Sequence, residues 1–350
     1  MGYLARAAAA LLVAGAALSP MAAARAEGGA QLVVTEENDS LVDSGDKHYT
    51  QGLRFGYLSR PVGPGGFWDA PFRGLSAILP AFEPEGDYRR RYFWTIAGQS
   101  LFTPEDIKRS PPDPADRPYA GWLHTGAALL QDTDGRMLET FEVLVGLVGP
   151  GAFGRQTQND FHQFISVGEA RGWDYQIGDE PGLMVTYERK YRLSLPLFGA
   201  IGMDAIPEAG VTVGNVLTYA EAGLMLRLGR NLAADYGPAR IRPSLSGNGW
   251  FDADRLEGSF GWQIFVGAQG RAVGRNMFLD DTTGVLDAPR TSPAITITRR
   301  DLVGDLSAGA SLFWSDAIRL DLAVTQRSPE FETQRKPDRF GGLTLTVRFF

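Results

Sequence analysis

The sequence predicts an all-β fold, a twelve-stranded antiparallel transmembrane β-barrel of the bacterial outer membrane. Three observations predict it. Apolar and polar residues alternate over segments of about 10 to 14 residues, which suits a tilted bilayer crossing better than the roughly five or six residues of most globular strands. The chain ends in Val347-Arg348-Phe349-Phe350, as the last strands of outer-membrane barrels end in an aromatic residue. Aromatic residues also recur near the segment ends, as at a membrane interface: Tyr57, Tyr119, Trp122, Trp262 and Trp314.

Each predicted strand has one apolar and one polar face. In Leu183–Ser194, Leu183 and Val185 alternate with residues that include Glu188 and Lys190, and successive side chains of a strand point to opposite sides. The apolar face lies inside in a soluble sandwich and against lipid in a barrel, so alternation alone fits both. Strand length, the aromatic positions and the chain end favour the barrel, with Phe349 on its apolar face.

Twelve strands are predicted, an even number as in closed bacterial barrels. They are 31–38, 49–60, 91–102, 119–131, 136–148, 182–195, 200–213, 216–229, 258–270, 302–314, 317–327 and 339–350. Up-and-down connection places short turns at 132–135 and 315–316 on the periplasmic side and most long connections outside. Two long connections, 61–90 and 230–257, fall on the periplasmic side, and the first is expected to form a surface helix at the membrane.

Residues 1–26 are predicted to be a secretory signal peptide, which leaves 27–350 as a single barrel domain. Arg6 precedes an apolar run from Ala7 to Leu18, and Ala24-Arg25-Ala26 offers small residues at the cleavage spacing. This run of about 12 residues is too short to span a hydrocarbon core of about 30 Å as a helix.

The composition excludes several classes of protein. The 350 residues include no cysteine, which excludes a disulfide scaffold, a thiol nucleophile and thiolate metal sites. The formal charge of −7 argues against a nucleic-acid partner, which normally requires a basic face. A hydrophobic content of 44% excludes a disordered chain. A folded, acidic, exported chain remains.

Polar residues collect at the predicted outer ends of strands that are distant in sequence. Glu36–Asp39 closes the first strand, Lys47–Gly52 opens the second, and Lys108-Arg109 lies in the loop after the third. Asp116–Gly121 opens the fourth strand, and His162 lies in the loop after the fifth. The topology therefore brings these residues to one rim of the barrel.

In their order and spacing, these motifs resemble those of the outer-membrane lipid A 3′-O-deacylase family. The family's Arg-Thr-x-Glu-Phe appears here as Arg327-Ser328-Pro329-Glu330-Phe331, which is a departure. The matching motifs are Asn38-Asp39, Tyr49-Thr50-x-Gly52, Asp116-Arg117-Pro118-Tyr119-Ala120-Gly121, Gly149-Pro150, Gln158-x-x-x-His162 and Gly172-Trp173-Asp174-x-Gln176-x-x-x-Glu180.

The resemblance implies a calcium-dependent esterase that removes acyl chains from one sugar position of lipid A. Such an enzyme modifies lipopolysaccharide from the outer-leaflet side of the outer membrane, and we expect a monomer surrounded by outer-membrane lipid. The implied site residues are His162 as general base, with Asp39, Thr50 and Gln158 beside it, Lys108 and Arg109 on the substrate, and Asn38 and Glu169 near Ca²⁺.

The residue types of the chain also point to ester hydrolysis when the family resemblance is set aside. Ester hydrolysis requires a nucleophile, a base and positive charge where the oxyanion forms. The histidines of the chain are His48, His124 and His162, and no Gly-x-Ser-x-Gly motif supports a serine nucleophile. Water activated by a histidine, with a metal on the carbonyl oxygen, is the remaining route. The oxygen ligands on offer suit calcium rather than zinc. His48 is the reserve base, and His124 is expected to line the lumen.

Two other functions stay open at this point. An outer-membrane phospholipase would share the site and differ in its substrate. His162 could also be an ordinary loop histidine, and Asn38-Asp39 an ordinary turn. A non-enzymatic porin or structural barrel would use as its water path a lumen lined by Glu188, Lys190, Arg192, Arg319 and Asp321.

Overall fold

The computed structural model describes residues 28–43, 46–83, 86–244, 249–281, 296–314 and 317–349. The expected signal peptide, the turn 315–316 and Phe350 lie outside this part. The described residues form one antiparallel sheet whose strands are β1 (Ala30–Asn38), β2 (His48–Leu58), β3 (Tyr88–Thr103), β4 (Ala120–Thr133), β5 (Met137–Val148), β6 (Glu180–Tyr191), β7 (Leu193–Phe198), β8 (Ile201–Gly214), β9 (Leu217–Arg230), β10 (Phe260–Asn276), β11 (Leu302–Trp314), β12 (Ile318–Arg327) and β13 (Asp338–Phe349).

The sheet closes on itself with twelve crossings, as predicted. The first strand pairs with the last, and β6 and β7 both pair with β8. These two strands are one predicted strand, interrupted at Arg192, whose backbone N–H bonds to Arg136 O at 2.7 Å. The guanidinium of Arg192 donates to Gly135 O and Asp235 O. Arg192 therefore takes no part in the strand pairing, because its backbone N–H and its side chain bind the carbonyl groups of Arg136, Gly135 and Asp235 instead.

The apolar faces point outward. Val213 is 58% exposed on the outside of the wall, whereas Glu188 is 1% exposed in the interior. Phe349 lies outside, as expected, with its ring 6.1 Å from that of Tyr57. Two aromatic predictions were wrong: Tyr119 and Trp122 are buried and belong to no exposed belt.

The two rims of the barrel differ. At one rim, which we call the turn rim, β4–β5 and β7–β8 are joined by 134–136 and 199–200. At the other, the loop rim, the connections 39–47, 104–119 and 149–179 are longer and carry most of the predicted site residues. In the described part of the chain, three α-helices lie in connections: α1 (Ala70–Ile78) at the turn rim, and α2 (Gly154–Ile165) and α3 (Met277–Asp280) at the loop rim. No helix within the described residues is long and apolar enough to cross a membrane.

The connection between β9 and β10 folds into the barrel, where the sequence predicted a long periplasmic turn. We call its described residues, 231–244 and 249–259, the plug. Within the lumen, Arg242 pairs with Glu142 at 2.8 Å and with Glu188 at 2.7 Å. Arg240 of the plug pairs with Glu37 on β1. The plug therefore enters because its arginines neutralise carboxylates that would otherwise be buried without a counter-charge.

The lumen residues proposed as a water path are tied into ion pairs. Lys190 lies 3.2 Å from Glu188 and 3.0 Å from Glu208. Arg319 pairs with Asp321 on its own strand at 2.8 Å and with Asp235 of the plug at 3.3 Å. An interior filled by a folded segment and by mutually neutralised charges argues against the porin alternative.

Candidate active site

Helix α2 and the loop after it cover the outer surface of the barrel wall at the loop rim. Ser100 and Phe102 line an internal cavity, so Leu101 between them faces outward. Leu101 is nonetheless fully buried, in a cluster that includes Trp173. A Cβ added to Gly154, the first residue of α2, would lie 2.5 Å from the Trp173 ring and 3.2 Å from Leu101. This close approach fixes the start of α2 against the wall.

His162 is held on the buried side of α2 by two contacts. Its Nδ1 lies 2.8 Å from Gly168 O, and its Nε2 lies 2.7 Å from Asp46 Oδ2. Because a carbonyl oxygen only accepts, Nδ1 carries a proton, which leaves Nε2 as the atom that gains or loses one. Burial opposes the charged ring, but Asp46 and the Gly168 carbonyl raise the pKa of His162 above its ordinary value.

Asn38 and Asp39 form the turn that ends β1. Asn38 Oδ1 accepts from the backbone N–H of Ser40 at 2.8 Å, which caps the short 3₁₀ turn Asp39–Leu41. Asp39 is 2% exposed, and its Oδ2 accepts from Lys47 N at 2.6 Å. Its Oδ1 is buried and has no hydrogen-bond partner among the described residues. Burial, together with the carboxylates of Asp46 and Asp338, raises the pKa of Asp39 to about 9.

Thr50 and Gln158 are both buried at the loop rim. The β2–β3 register shifts between Tyr49 and Gln51, so Thr50 occupies a bulge, and its hydroxyl lies 2.6 Å from that of Thr103. Gln158 is one turn before His162 and shares its helix face. Its Oε1 accepts from Trp173 Nε1 at 2.7 Å, while its buried Nε2 has no partner in the described structure.

The remaining predicted residues are exposed. Arg109 pairs with Asp113 at 2.6 Å in the loop after β3. Within the described residues, the structure shows no side-chain hydrogen bond or ion pair for Lys108 or Glu169. Glu169 follows Gly168, whose carbonyl binds His162. Their roles toward substrate and metal stay predictions.

The oxygen atoms of Asn38 and Asp39 provide part of a site for a cation that prefers oxygen ligands. The unpaired, buried Oδ1 of Asp39 and the amide of Asn38 are the hard oxygens that Ca²⁺ prefers. Among the described residues, however, no group of three or more His, Cys, Asp or Glu could hold a metal ion. A calcium site here would therefore need backbone or water oxygens in addition.

Asp46, Thr103 and the Gly168 carbonyl were not predicted. Asp46 reaches His162 because the loop 39–47 folds back through the bond from Lys47 N to Asp39, and no pattern in the sequence distinguishes it from an ordinary loop aspartate. Thr103 faces Thr50 across two paired strands, which strand pairing alone could have suggested.

The other two histidines lie elsewhere. His48, the reserve base, is held by Asp338 at 2.6 Å and by Asp116 at 3.4 Å, so it joins the starts of β2 and β13 to the loop 104–119. His124 is 5% exposed and lines the internal cavity, as expected. His162 is thus the histidine that contacts Asp46, the carboxylate that also acts on Asp39.

Replacing Asp46 with asparagine is expected to lower the pKa of His162, because the carboxylate that favours the imidazolium is lost. The ring would then lose its proton at lower pH than in the unmodified protein. NMR titration of the imidazole signals in detergent measures this shift. His48 is an internal control because its partners are Asp116 and Asp338. An unchanged His162 titration would contradict the contact.

The chain is similar to known proteins in sequence profile and in structure. A sequence profile of the family described as outer membrane protein LpxR matches residues 7–349. Among solved structures, LpxR from Salmonella typhimurium superposes with a TM-score of 0.69 at 19% identity, and the match covers 91% of this chain and 100% of that chain. The β domain of the Bordetella autotransporter BrkA reaches 0.42 at 11% identity over 93% and 100% of the two chains. No curated protein sequence matches the chain.

Proposed function

The chain belongs to the LpxR family of outer-membrane proteins, the lipid A 3′-O-deacylases, and from that premise we propose that it hydrolyses ester-linked acyl chains of lipid A. One observation carries the proposal: His162, on the buried side of a helix that lies outside the barrel wall, is fixed by Gly168 and by Asp46, whose carboxylate also acts on Asp39. A lipid in the surrounding leaflet reaches this position sideways and does not need to enter the lumen. With the loop rim outward, that leaflet is the outer one.

In the proposed reaction, His162 activates a water molecule. The bond from Nδ1 to Gly168 O orients the ring, and neutral Nε2 takes a proton from the water as it attacks the ester carbonyl. The Asp46 carboxylate accepts a hydrogen bond from Nε2 only when Nε2 carries a proton, so in the neutral ring Asp46 moves aside or bridges through the water, whose O–H donates to Nε2. Asp46 then stabilises the imidazolium, which returns its proton to the leaving alkoxide.

Calcium is part of the proposal. When bound, it would polarise the ester carbonyl and stabilise the oxyanion. Asn38 and Glu169 would hold it together with Asp39, whose carboxyl group has a buried, unpaired oxygen to offer; Glu169 is exposed and follows Gly168, whose carbonyl binds His162. Thr50 and Gln158, both buried at the loop rim, are assigned the positioning of the water and the ester.

Lys108 and Arg109 are proposed to bind the phosphates of lipid A. Both are exposed at the loop rim, and cationic side chains suit phosphate oxygens. Arg109 would release Asp113 and bind a phosphate instead. The cost in free energy is small, because an exposed ion pair contributes little to stability. All these residues come from one chain, so we propose that the enzyme acts as a monomer.

Mass spectrometry of lipid A tests the proposal. Purified, folded protein is incubated with lipopolysaccharide in detergent, with Ca²⁺ or with a chelator. The expected result is loss of ester-linked acyl mass with Ca²⁺ and no loss with the chelator. Unchanged lipid A in the presence of Ca²⁺, with the barrel folded, would refute the function. Release of fatty acid from glycerophospholipid instead would identify a phospholipase.

A further inference from the structure

The segment Phe67–Ile78 at the turn rim is apolar on two sides. It consists of a 3₁₀ turn, Phe67–Asp69, followed by α1. Phe72 is fully buried against the barrel. In contrast, Phe67 is 82% exposed, Trp68 60% and Ile78 81%, although all three are large apolar residues. Exposed residues of this size gathered in one short segment indicate an interaction surface.

The segment lies outside the wall. Phe93 is buried in the interior and Arg91 lies over the ring of Trp250 in the plug, so Tyr92 between them faces outward. The Tyr92 ring packs 5.3 Å from that of Phe72, and its hydroxyl donates to Trp68 O at 2.7 Å. The segment therefore covers the lipid-facing side of β3.

An aromatic series joins this segment to the exposed belt of the barrel. Ring centroids are 5.8 Å apart between Trp94 and Tyr92, and 5.9 Å apart between Tyr92 and Trp68. The rings of Trp68 and Phe67 follow at 5.3 Å. Trp94 pairs in register with Tyr57, whose ring lies near that of Phe349 at the end of the last strand. The segment thus continues a surface that faces lipid, at the height where aromatic side chains meet the headgroups.

A buried ion pair fixes the position of this segment against the barrel wall. Asp69 is 2% exposed and pairs with the equally buried Arg90 at 2.7 Å. Arg90 also lies 5.1 Å from the centre of the Phe72 ring. Arg73, on the next turn, is 60% exposed and offers a cation to headgroup phosphates. A buried ion pair at the start of the segment holds its exposed apolar side chains in place.

We propose that Phe67–Ile78 is a membrane-interface foot that inserts Phe67, Trp68 and Ile78 into the glycerophospholipid leaflet at the turn rim. Its occupant is lipid rather than a protein partner, because the surface is continuous with the outward face of the barrel and lies at its aromatic belt. Amphipathic elements of this kind lie in the plane of the interface, with their apolar side chains at the boundary between headgroups and acyl chains.

Spin labelling tests the foot, and the chain contains no cysteine to remove. Phe67→Cys and Ile78→Cys are labelled with a nitroxide in vesicles of phosphatidylethanolamine and phosphatidylglycerol. Accessibility to oxygen and to a water-soluble nickel complex is then measured. The controls are Val266→Cys, which is 55% exposed on the wall, and Glu105→Cys, in an exposed loop. We expect an oxygen-to-nickel ratio at both foot positions roughly threefold or more above that at Glu105.

Two outcomes of the spin-label experiment would overturn the proposal. A ratio equal to that at Glu105 would place the foot in water. Low accessibility to both reagents would show a protein cover, such as a second copy of the chain. A second measurement needs no label: brominated phosphatidylglycerol should quench the fluorescence of the unmodified protein more than that of Trp68→Phe. Equal quenching of the two folded proteins would also refute the foot.

Discussion

Replacing His162 with glutamine is expected to reduce lipid A hydrolysis by roughly 10²–10⁴-fold, the usual contribution of a general base. Glutamine can still donate to Gly168 O, so the local fold of α2 is retained. It has no atom that accepts a proton near neutral pH, so the attacking water is no longer activated. The rate of acyl loss, followed by mass spectrometry in Ca²⁺-containing detergent, measures the effect.

The matched control is His48→Gln. His48 is also buried between carboxylates at the loop rim, but it contacts Asp116 and Asp338 rather than the region under α2. We expect this variant to keep most of the activity. The assignment of the base to His162 fails if His162→Gln retains the full rate, or if only His48→Gln loses it, in proteins whose heat-modifiable gel mobility shows a folded barrel.

Removing the guanidinium of Arg242 is expected to destabilise the barrel by about 3–5 kcal/mol, the usual cost of leaving buried charges without a partner. In Arg242→Ala, the carboxylates of Glu142 and Glu188 remain in the lumen without the plug cation that lies between them. The free energy of unfolding by urea in detergent micelles measures this cost.

Arg73→Ala removes the same side chain from an exposed position. Arg73 is 60% exposed and lies 3.6 Å from Asp69, so its loss should cost at most about 1 kcal/mol. Equal stability of the two variants would show that the plug contributes little to the stability of the barrel.

The strands could be predicted because lipid outside and charge inside impose a strict period of two. The predicted strand 302–314 coincides with β11 (Leu302–Trp314), whereas β10 continues to Asn276, beyond its predicted end at 270. A strand that extends past the bilayer no longer needs an apolar face, so its end carries no periodic signal.

The plug could not be predicted from a pattern of its own. Its sequence has no sustained period, which is typical of a loop. An indirect signal was present: Arg240 and Arg242 alternate as in a strand, and the lumen faces carry carboxylates such as Glu37 and Glu142 that need counter-charges. Only the three-dimensional pairing shows which cations supply them.

The site was predictable where residues occupy regular elements. Gln158 and His162 are four residues apart, and α2 places both on its buried side. Asp46 was missed because its position depends on how one short loop closes, which no periodicity describes. Lys108, Arg109 and Glu169 lie in exposed loops, where the described contacts do not fix the position of a ligand.

The plug also forms hydrogen bonds to both the first and the last strand of the barrel. Its Phe251 and Ala239 carbonyls accept from Gln31 of the first strand at 2.8 Å and from Thr344 of the last strand at 2.9 Å. The pairing of β1 with β13 closes the barrel, and the plug adds hydrogen bonds to both strands from inside the lumen. This pairing and these two bonds hold the seam between β1 and β13 closed in the structure. On the proposed function, acyl chains released at the outer wall diffuse away within the bilayer and do not pass through the protein.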